Sequence, residues 1–193
     1  MDDAKAMKEE IRKETAERLA SISRDELSIK CAKIEERLFD FANFREAAVA
    51  LMYLGYGCGL GTSDIMARLA QSAKDIVLPL FVDPEKYPVM YKIIDPVSDI
   101  IKNPEPAPDT ERCKEVGIAE IDIAIIPGIA FDEKGGRIGM GTGRYDRLIP
   151  KLANTTRKVA LAFEEQIVTL VPMQSHDQYV DIIITDKRTI YKI

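Results

Sequence analysis

Five stretches of this chain are apolar with almost no polar interruption: residues 47–54 (AAVALMYL), 76–82, 121–126, 159–163 and 180–184. A strand with one wet face alternates apolar and polar side chains, whereas a parallel strand covered on both faces reads as a continuous apolar run. The pattern therefore predicts buried parallel strands. Other segments have a helical period instead. Residues 4–20 place Ala4, Met7 and Ile11 on one stripe among lysines and glutamates. Ser23 and Glu26 form a capping-box pattern ahead of Leu27, Cys31, Ile34, Leu38 and Phe41, which recur at 4, 3, 4, 3 spacing. Thr62 is placed to cap a helix running to Ala70, with Ile65, Met66 and Leu69 facing inward. Strands alternating with helices predict an α/β fold. The expected architecture is a three-layer α/β/α, Rossmann-like domain with a mostly parallel central sheet, one domain over residues 1–193.

Residues 83–120 break this rhythm. They hold six of the ten prolines, Pro84, Pro88, Pro96, Pro104, Pro106 and Pro108, and read as an irregular insert. Val89, Met90, Tyr91, Ile93 and Ile94 supply one edge strand within it.

Composition narrows the chemistry. The chain has 193 residues, a formal charge of -5, one histidine and three cysteines. Cys31, Cys58 and Cys113 lie far apart without a C-x-x-C, and the lone His176 has no second imidazole to share a metal. This argues against structural zinc and against a disulfide framework, and the odd trio points to a reducing compartment. Cys31 lies on a helical apolar stripe and reads as core packing. The charged start, MDDAKAMKEE, and the lack of a long apolar run predict a cytoplasmic protein without membrane attachment. An acidic balance argues against a nucleic-acid partner. With so little histidine, catalysis rests on Lys, Arg, Asp, Glu, Tyr or backbone groups.

The most informative segment follows the third apolar run: Gly135-Gly-Arg-Ile-Gly-Met-Gly-Thr-Gly-Arg-Tyr-Asp-Arg147. Gly139, Gly141 and Gly143 alternate, which lets a ligand approach the backbone and turns successive amides toward an anion. A helix starting near Gly143 adds its positive end. Arg137, Arg144 and Arg147 supply local positive charge that the net balance lacks. Neither a Walker sequence nor a complete G-x-G-x-x-G is present. Phosphate binding is the physical reading, with a tight structural turn as its rival.

The run Ile126-Pro-Gly-Ile-Ala-Phe-Asp132 together with Gly135 to Arg147 resembles the signature of the 5-formyltetrahydrofolate cyclo-ligase family, also called methenyltetrahydrofolate synthetases. Lys8-x-x-x-Arg12-Lys13 is similar to the family's N-terminal basic helix, and Leu161-Ala-Phe-Glu-Glu-Gln166, Pro172 and His176-Asp177 to its C-terminal segment. The resemblance implies an ATP- and Mg²⁺-dependent ligase that converts 5-formyltetrahydrofolate to 5,10-methenyltetrahydrofolate. It implies ATP contacts at Lys8, Arg12, Arg137, Gly139, Met140, Gly141, Thr142, Gly143, Arg144 and Tyr145, with Arg144 and Arg147 stabilising charge during the reaction. It implies substrate contacts at Tyr56, Gly61, Met90 and Tyr145, and Mg²⁺ at Asp146 and Asp177. By spacing alone Lys8 and Arg12 share a helix face and could simply pair with nearby glutamates. Asp146 could likewise pair with Arg147, and Tyr145 could pack under the loop. A reduced folate or related formylated pterin is the expected partner of ATP, on a monomer or weak homodimer. His176 reads as an orienting or surface residue.

The chain departs from the family pattern on the folate side. Both glutamates of a Glu-x-Glu-Thr loop are replaced, at Gly59 and Gly61. The first tyrosine of a pair is Arg144, a Pro-Arg is Pro79-Leu80, and an aromatic before Glu105-Pro106 is missing. Two alternatives stay open at this stage: the same chemistry on another formylated pterin or formamide, and a nucleotide-binding regulatory protein without turnover.

Overall fold

The computed structural model describes residues 2–55, 60–82, 87–102 and 106–192. Three helices come first, α1 (Asp2–Ala20), α2 (Arg24–Asp40) and α3 (Ala42–Glu46), then β1 (Val49–Leu51), α4 (Ser63–Leu69) and β2 (Asp75–Leu80). The proline-rich region supplies β3 (Val89–Ile93), β4 (Ile100–Ile101), β5 (Ala107–Pro108) and β6 (Lys114–Val116). After these come β7 (Ile123–Ile125), β8 (Ala130–Asp132), β9 (Arg137–Ile138), α5 (Arg144–Leu148), β10 (Arg157–Ala162), β11 (Ile167–Val168), β12 (Ile182–Thr185) and β13 (Thr189–Tyr191).

The main sheet has eight strands in the order β13-β12-β10-β7-β1-β2-β3-β6. Its five central strands, β12, β10, β7, β1 and β2, are parallel, and β13, β3 and β6 join antiparallel. These five are the apolar runs of the sequence. Their alternate side chains feed two separate cores. Ile76, Leu78, Ile123, Ile125, Val159, Leu161, Ile182 and Ile184 pack with Ile34, Leu38, Ile65 and Leu69 of the helices on one face. Val77, Ala124, Ala160, Ala162 and Ile183 pack with Leu148, Ile149 and Leu152 on the other. Burial on both faces is why no polar alternation survives in these segments. The second outer layer is thin: a five-residue α5 and one 3₁₀ turn over Ile149–Lys151, seated on small alanines.

Three local expectations need correction. The stretch 83–120 is not irregular among its described residues: β3 and β6 extend the main sheet, and β4 pairs with β5. Consequently β3 is not an edge strand, because β6 lies outside it. Burial first pushes the Asp99 carboxyl up, but N–H groups of Asp95 and Ile94 and the Arg112 guanidinium hold it below the usual range and pin the turn between β3 and β4. Thr62 precedes α4 but does not cap it with its side chain; its hydroxyl donates to the Tyr53 carbonyl instead. Ser23 does cap α2, accepting from the Glu26 N–H at 3.3 Å. Cys31 is half-buried on α2, where burial and then Asp64 push its thiol up, as expected of a packing residue. Cys58 lies outside the described residues. Among the described residues no helix is long and apolar enough to cross a membrane.

Candidate active site

β1 sits between β2, which follows it in the chain, and β7, which comes later. The chain thus departs in opposite directions from β1, and loops at the carboxyl ends of such neighbouring strands part to leave a crevice. A cavity of about 1520 Å³ opens there. Tyr53 and Leu54 after β1, Leu78, Pro79 and Phe81 at the end of β2, and Pro127 to Ile129 after β7 form its floor, with α1, the glycine loop and residues 174–177 as walls. Its volume exceeds the ~300–1,000 Å³ of a pocket for one ligand, so two can sit side by side.

The glycine loop is presented by the β8–β9 hairpin. Asp132, 2 % exposed, ties that hairpin together: its carboxylate accepts from the N–H groups of Lys134, Gly136 and Val171. Beyond β9 the chain turns through Gly141 at φ +84° and Gly143 at φ +65°, conformations that cost an L side chain about 1–2 kcal/mol. Arg147 folds back over this turn and donates to the Thr142 carbonyl at 3.1 Å. Because α5 is only five residues long, the helix end adds little to the backbone amides of the loop.

α1 lies across the loop. Lys8, nearly buried, ion-pairs with Asp177, and Arg12 donates through Nε to the Gly139 carbonyl at 3.0 Å and through a terminal nitrogen to Glu9 at 2.6 Å. The shared face foreseen from their spacing is therefore turned into the cavity. Arg137 differs from the loop cation that the sequence suggests. It is 3 % exposed, with its guanidinium on the Pro127 carbonyl at 3.1 Å and on Asp146 Oδ1 at 2.5 Å. Asp146 pairs with Arg137, not with Arg147.

Asp146 and Asp177 meet on the same wall, since the backbone N–H of Gln178, next to Asp177, donates to Asp146 Oδ1 at 3.2 Å. Burial raises the Asp177 carboxyl, but Lys8, the Gln174 N–H and His176 outweigh it and leave it below its ordinary value. Among the described residues, Asp146 Oδ2 has no hydrogen bond and Asp177 Oδ1 has only His176 Nε2, at 3.6 Å. Asp146 and Asp177, both lining the cavity, are the carboxylates that could hold Mg²⁺, which takes one or two protein carboxylates and fills its shell with phosphate and water.

The β2 side of the cavity is apolar and aromatic. The Phe81 and Tyr145 rings lie 5.5 Å apart, and the Arg144 guanidinium sits 5.6 Å above Phe81. Tyr145 lines the cavity and also packs against the two cores. Met90 does not line the cavity. It is 3 % exposed within the core of Leu51 and Val77, because the β3 register turns it beneath the sheet. Gly61 is exposed and outside the lining, and a Cβ there meets nothing within 4 Å. Tyr56 and Gly59 lie outside the described residues. Met140 and Thr142 line the mouth. Sequence reasoning passed over Phe81 and the hairpin-binding Asp132. An Asp three residues before Gly135-Gly136 is a turn signal that could have flagged the latter. Phe81 lies within the apolar run 76–82 and carries no comparable signal.

Comparison with known proteins gives consistent matches. The model of the 5-formyltetrahydrofolate cyclo-ligase family matches residues 4–186. A probable 5-formyltetrahydrofolate cyclo-ligase of Caenorhabditis elegans is 26% identical over 98% of this chain and 98% of its own length. The 5-formyltetrahydrofolate cyclo-ligase of Escherichia coli K12 is 26% identical over 74% of this chain and 80% of its own. Among solved structures, the 5,10-methenyltetrahydrofolate synthetase of Aquifex aeolicus superposes with a TM-score of 0.82 at 24% identity, covering 96% of this chain and 93% of that one. That of Mycoplasma pneumoniae gives 0.72 at 20% identity, covering 93% of this chain and 98% of that one.

Proposed function

The chain belongs to the 5-formyltetrahydrofolate cyclo-ligase family, whose members are ATP-dependent ligases, and from that premise we propose that it converts 5-formyltetrahydrofolate and ATP to 5,10-methenyltetrahydrofolate, ADP and phosphate. The observation that carries the reading is one cavity with two chemically distinct ends. Lys8, Arg12 and the amides around Gly141 and Gly143 suit phosphates, and the Phe81–Tyr145 pair suits a flat ring. The formamide oxygen cannot leave as hydroxide. It attacks the γ-phosphorus, ADP departs, and the neighbouring amine then bonds to the formyl carbon as the C–O bond breaks. The amine's proton leaves on the released phosphate.

The substrate thus supplies its own nucleophile, and the protein's task is alignment and charge neutralisation. Lys8 exchanges part of its contact with Asp177 for a phosphate oxygen, while Arg12, already braced on Gly139, reaches another. Arg147, held over the turn by Thr142, neutralises charge at the transferring group. Asp146 and Asp177 would hold Mg²⁺, which when bound neutralises and orients phosphate oxygens. Arg137 keeps Asp146 aimed into the cavity. Tyr145 and Phe81 wall the ring-bearing substrate, and no step needs a histidine base. Mixing the protein with ATP, Mg²⁺ and 5-formyltetrahydrofolate should generate the methenyl chromophore with one phosphate released per product. A folded sample that binds ATP yet yields no chromophore would overturn the reading.

A further inference from the structure

On α1 an acid stands between the two cavity cations. Lys8, Glu9 and Arg12 all line the cavity, and each cation is met there by a carboxylate of the protein itself. Lys8 ion-pairs with Asp177, and Arg12 Nη1 donates to Glu9 Oε1 at 2.6 Å. The two carboxylates differ in how firmly they are held. Asp177 is fixed: its side chain is 9 % exposed, and the Gln174 N–H donates to it at 2.7 Å. The Glu9 side chain is 64 % exposed, and among the described residues Arg12 is its only partner. Water can take it up as soon as it turns away.

Arg12 cannot follow. Its side chain is 18 % exposed, its Nε donates to the Gly139 carbonyl at 3.0 Å, and its Nη2 lies 3.8 Å from where a Cβ on Gly141 would stand. A guanidinium offers five N–H donors in one plane, and two of its nitrogens together grip an oxyanion more strongly than one. In Arg12, Nε is anchored and Nη2 is turned to the glycine loop, while the Nη1 that completes the fork is taken by Glu9. A phosphate entering between the loop and α1 therefore meets a negative carboxylate on the donor it needs. We infer that Glu9 is a built-in competitor of the nucleotide: it neutralises Arg12 between turnovers, swings to solvent when a phosphate takes both terminal nitrogens, and reclaims Arg12 as ADP leaves. The inference rests on the cyclo-ligase reading, with Arg12 as a phosphate contact, and adds to it a residue that sets nucleotide affinity.

Isothermal titration calorimetry of the whole protein with Mg²⁺ and either ADP or the β,γ-imido analogue of ATP tests it. Glu9→Gln and Glu9→Ala should both bind each nucleotide about 2–5-fold more tightly than wild type, the scale of one exposed ion pair. The gain should shrink as salt rises to about 0.5 M. Glu10→Gln makes the same charge change on α1 at an exposed position outside the cavity lining, where solvent and salt screen it, and should stay within about 1.5-fold of wild type. In an Arg12→Gln background, Glu9→Gln should gain less than about 1.5-fold, because the competitor has lost its target. Weaker or unchanged binding in the Glu9 variants would make the carboxylate a strut for Arg12 or a bystander, and would overturn the inference. An equal gain in Glu10→Gln, or a gain that persists without Arg12, would overturn it too. Each of these outcomes leaves the cyclo-ligase reading intact, whereas a folded wild-type protein that binds neither nucleotide would overturn both.

Discussion

Removing the Asp146 carboxylate separates two jobs that one residue performs. In the folded protein Asp146 accepts from Arg137, whose side chain is 2 % exposed, and from the backbone N–H of Gln178. Among the described residues Arg137 Nε is already buried without a partner. Asp146→Ala therefore strands a buried guanidinium and orphans an amide. Breaking a buried ion pair from one side costs about 3–5 kcal/mol. The Asp146 side chain is 23 % exposed, so water reaches it and the lower figure, about 3 kcal/mol, applies. For a domain of this size that lowers Tm by about 6–12 °C. Thermal unfolding followed by circular dichroism, in buffer free of metal and nucleotide, measures it. Asp146→Asn keeps the acceptor and loses the charge, so it should fall between wild type and alanine. The double variant Arg137→Met/Asp146→Leu, which removes both charges at once, should regain most of the loss. A carboxylate kept only for metal would behave oppositely, because deleting it relieves repulsion from Asp177. A Tm for Asp146→Ala that is unchanged or raised would refute the reasoning.

Two further predictions concern stability. Lys30 of α2, 6 % exposed, donates to Glu165 at 2.8 Å and Asp186 at 3.1 Å, and these contacts hold its pKa well above the ordinary value against the opposing effect of burial. Lys30→Ala should cost about 3 kcal/mol in urea unfolding, and a loss below about 0.5 kcal/mol, the scale of an exposed pair, would show the cluster to be solvated. Acid should unfold the protein through its paired carboxylates. Burial raises Asp177, Asp186 and Asp99, but ion pairs and N–H donors outweigh it and leave all three depressed. Groups with depressed folded values bind fewer protons folded than unfolded. Their contribution is complete above the unfolded value near ~3.9 and is lost as pH falls through the folded values. Stability that stays flat from about pH 5 to pH 2.5 would contradict this, and Lys8→Met should flatten the Asp177 share of the slope.

How much of the site was legible follows from the range of the interactions involved. The loop from Gly139 to Gly143 could be read directly, because positive φ demands glycine at fixed positions and leaves a local mark. Lys8 and Arg12 could be placed on one helix face by spacing, but that the face looks into the cavity required α1 to dock on β8 and on the turn at Glu164–Gln166. Met90 misled for a related reason: a side chain on a strand faces one side or the other by register alone, and the register of β3 sends it into the core.

The five continuous apolar runs by themselves determined a sheet buried on both faces, since polar residues are costly where no water reaches, and periodicity with capping residues determined the flanking helices. Those are local constraints written residue by residue. Only the tertiary structure decided which charges stay free. By charge alone Arg137, Arg144 and Arg147 are three cations of one loop. The fold buries Arg137 against the carboxylate of Asp146, gives Arg147 the Thr142 carbonyl, and leaves Arg144 on an aromatic ring 63 residues away in the chain, at Phe81. A charge is satisfied by whatever lies within a few ångströms of it, and that neighbourhood exists only once the strands have chosen their order.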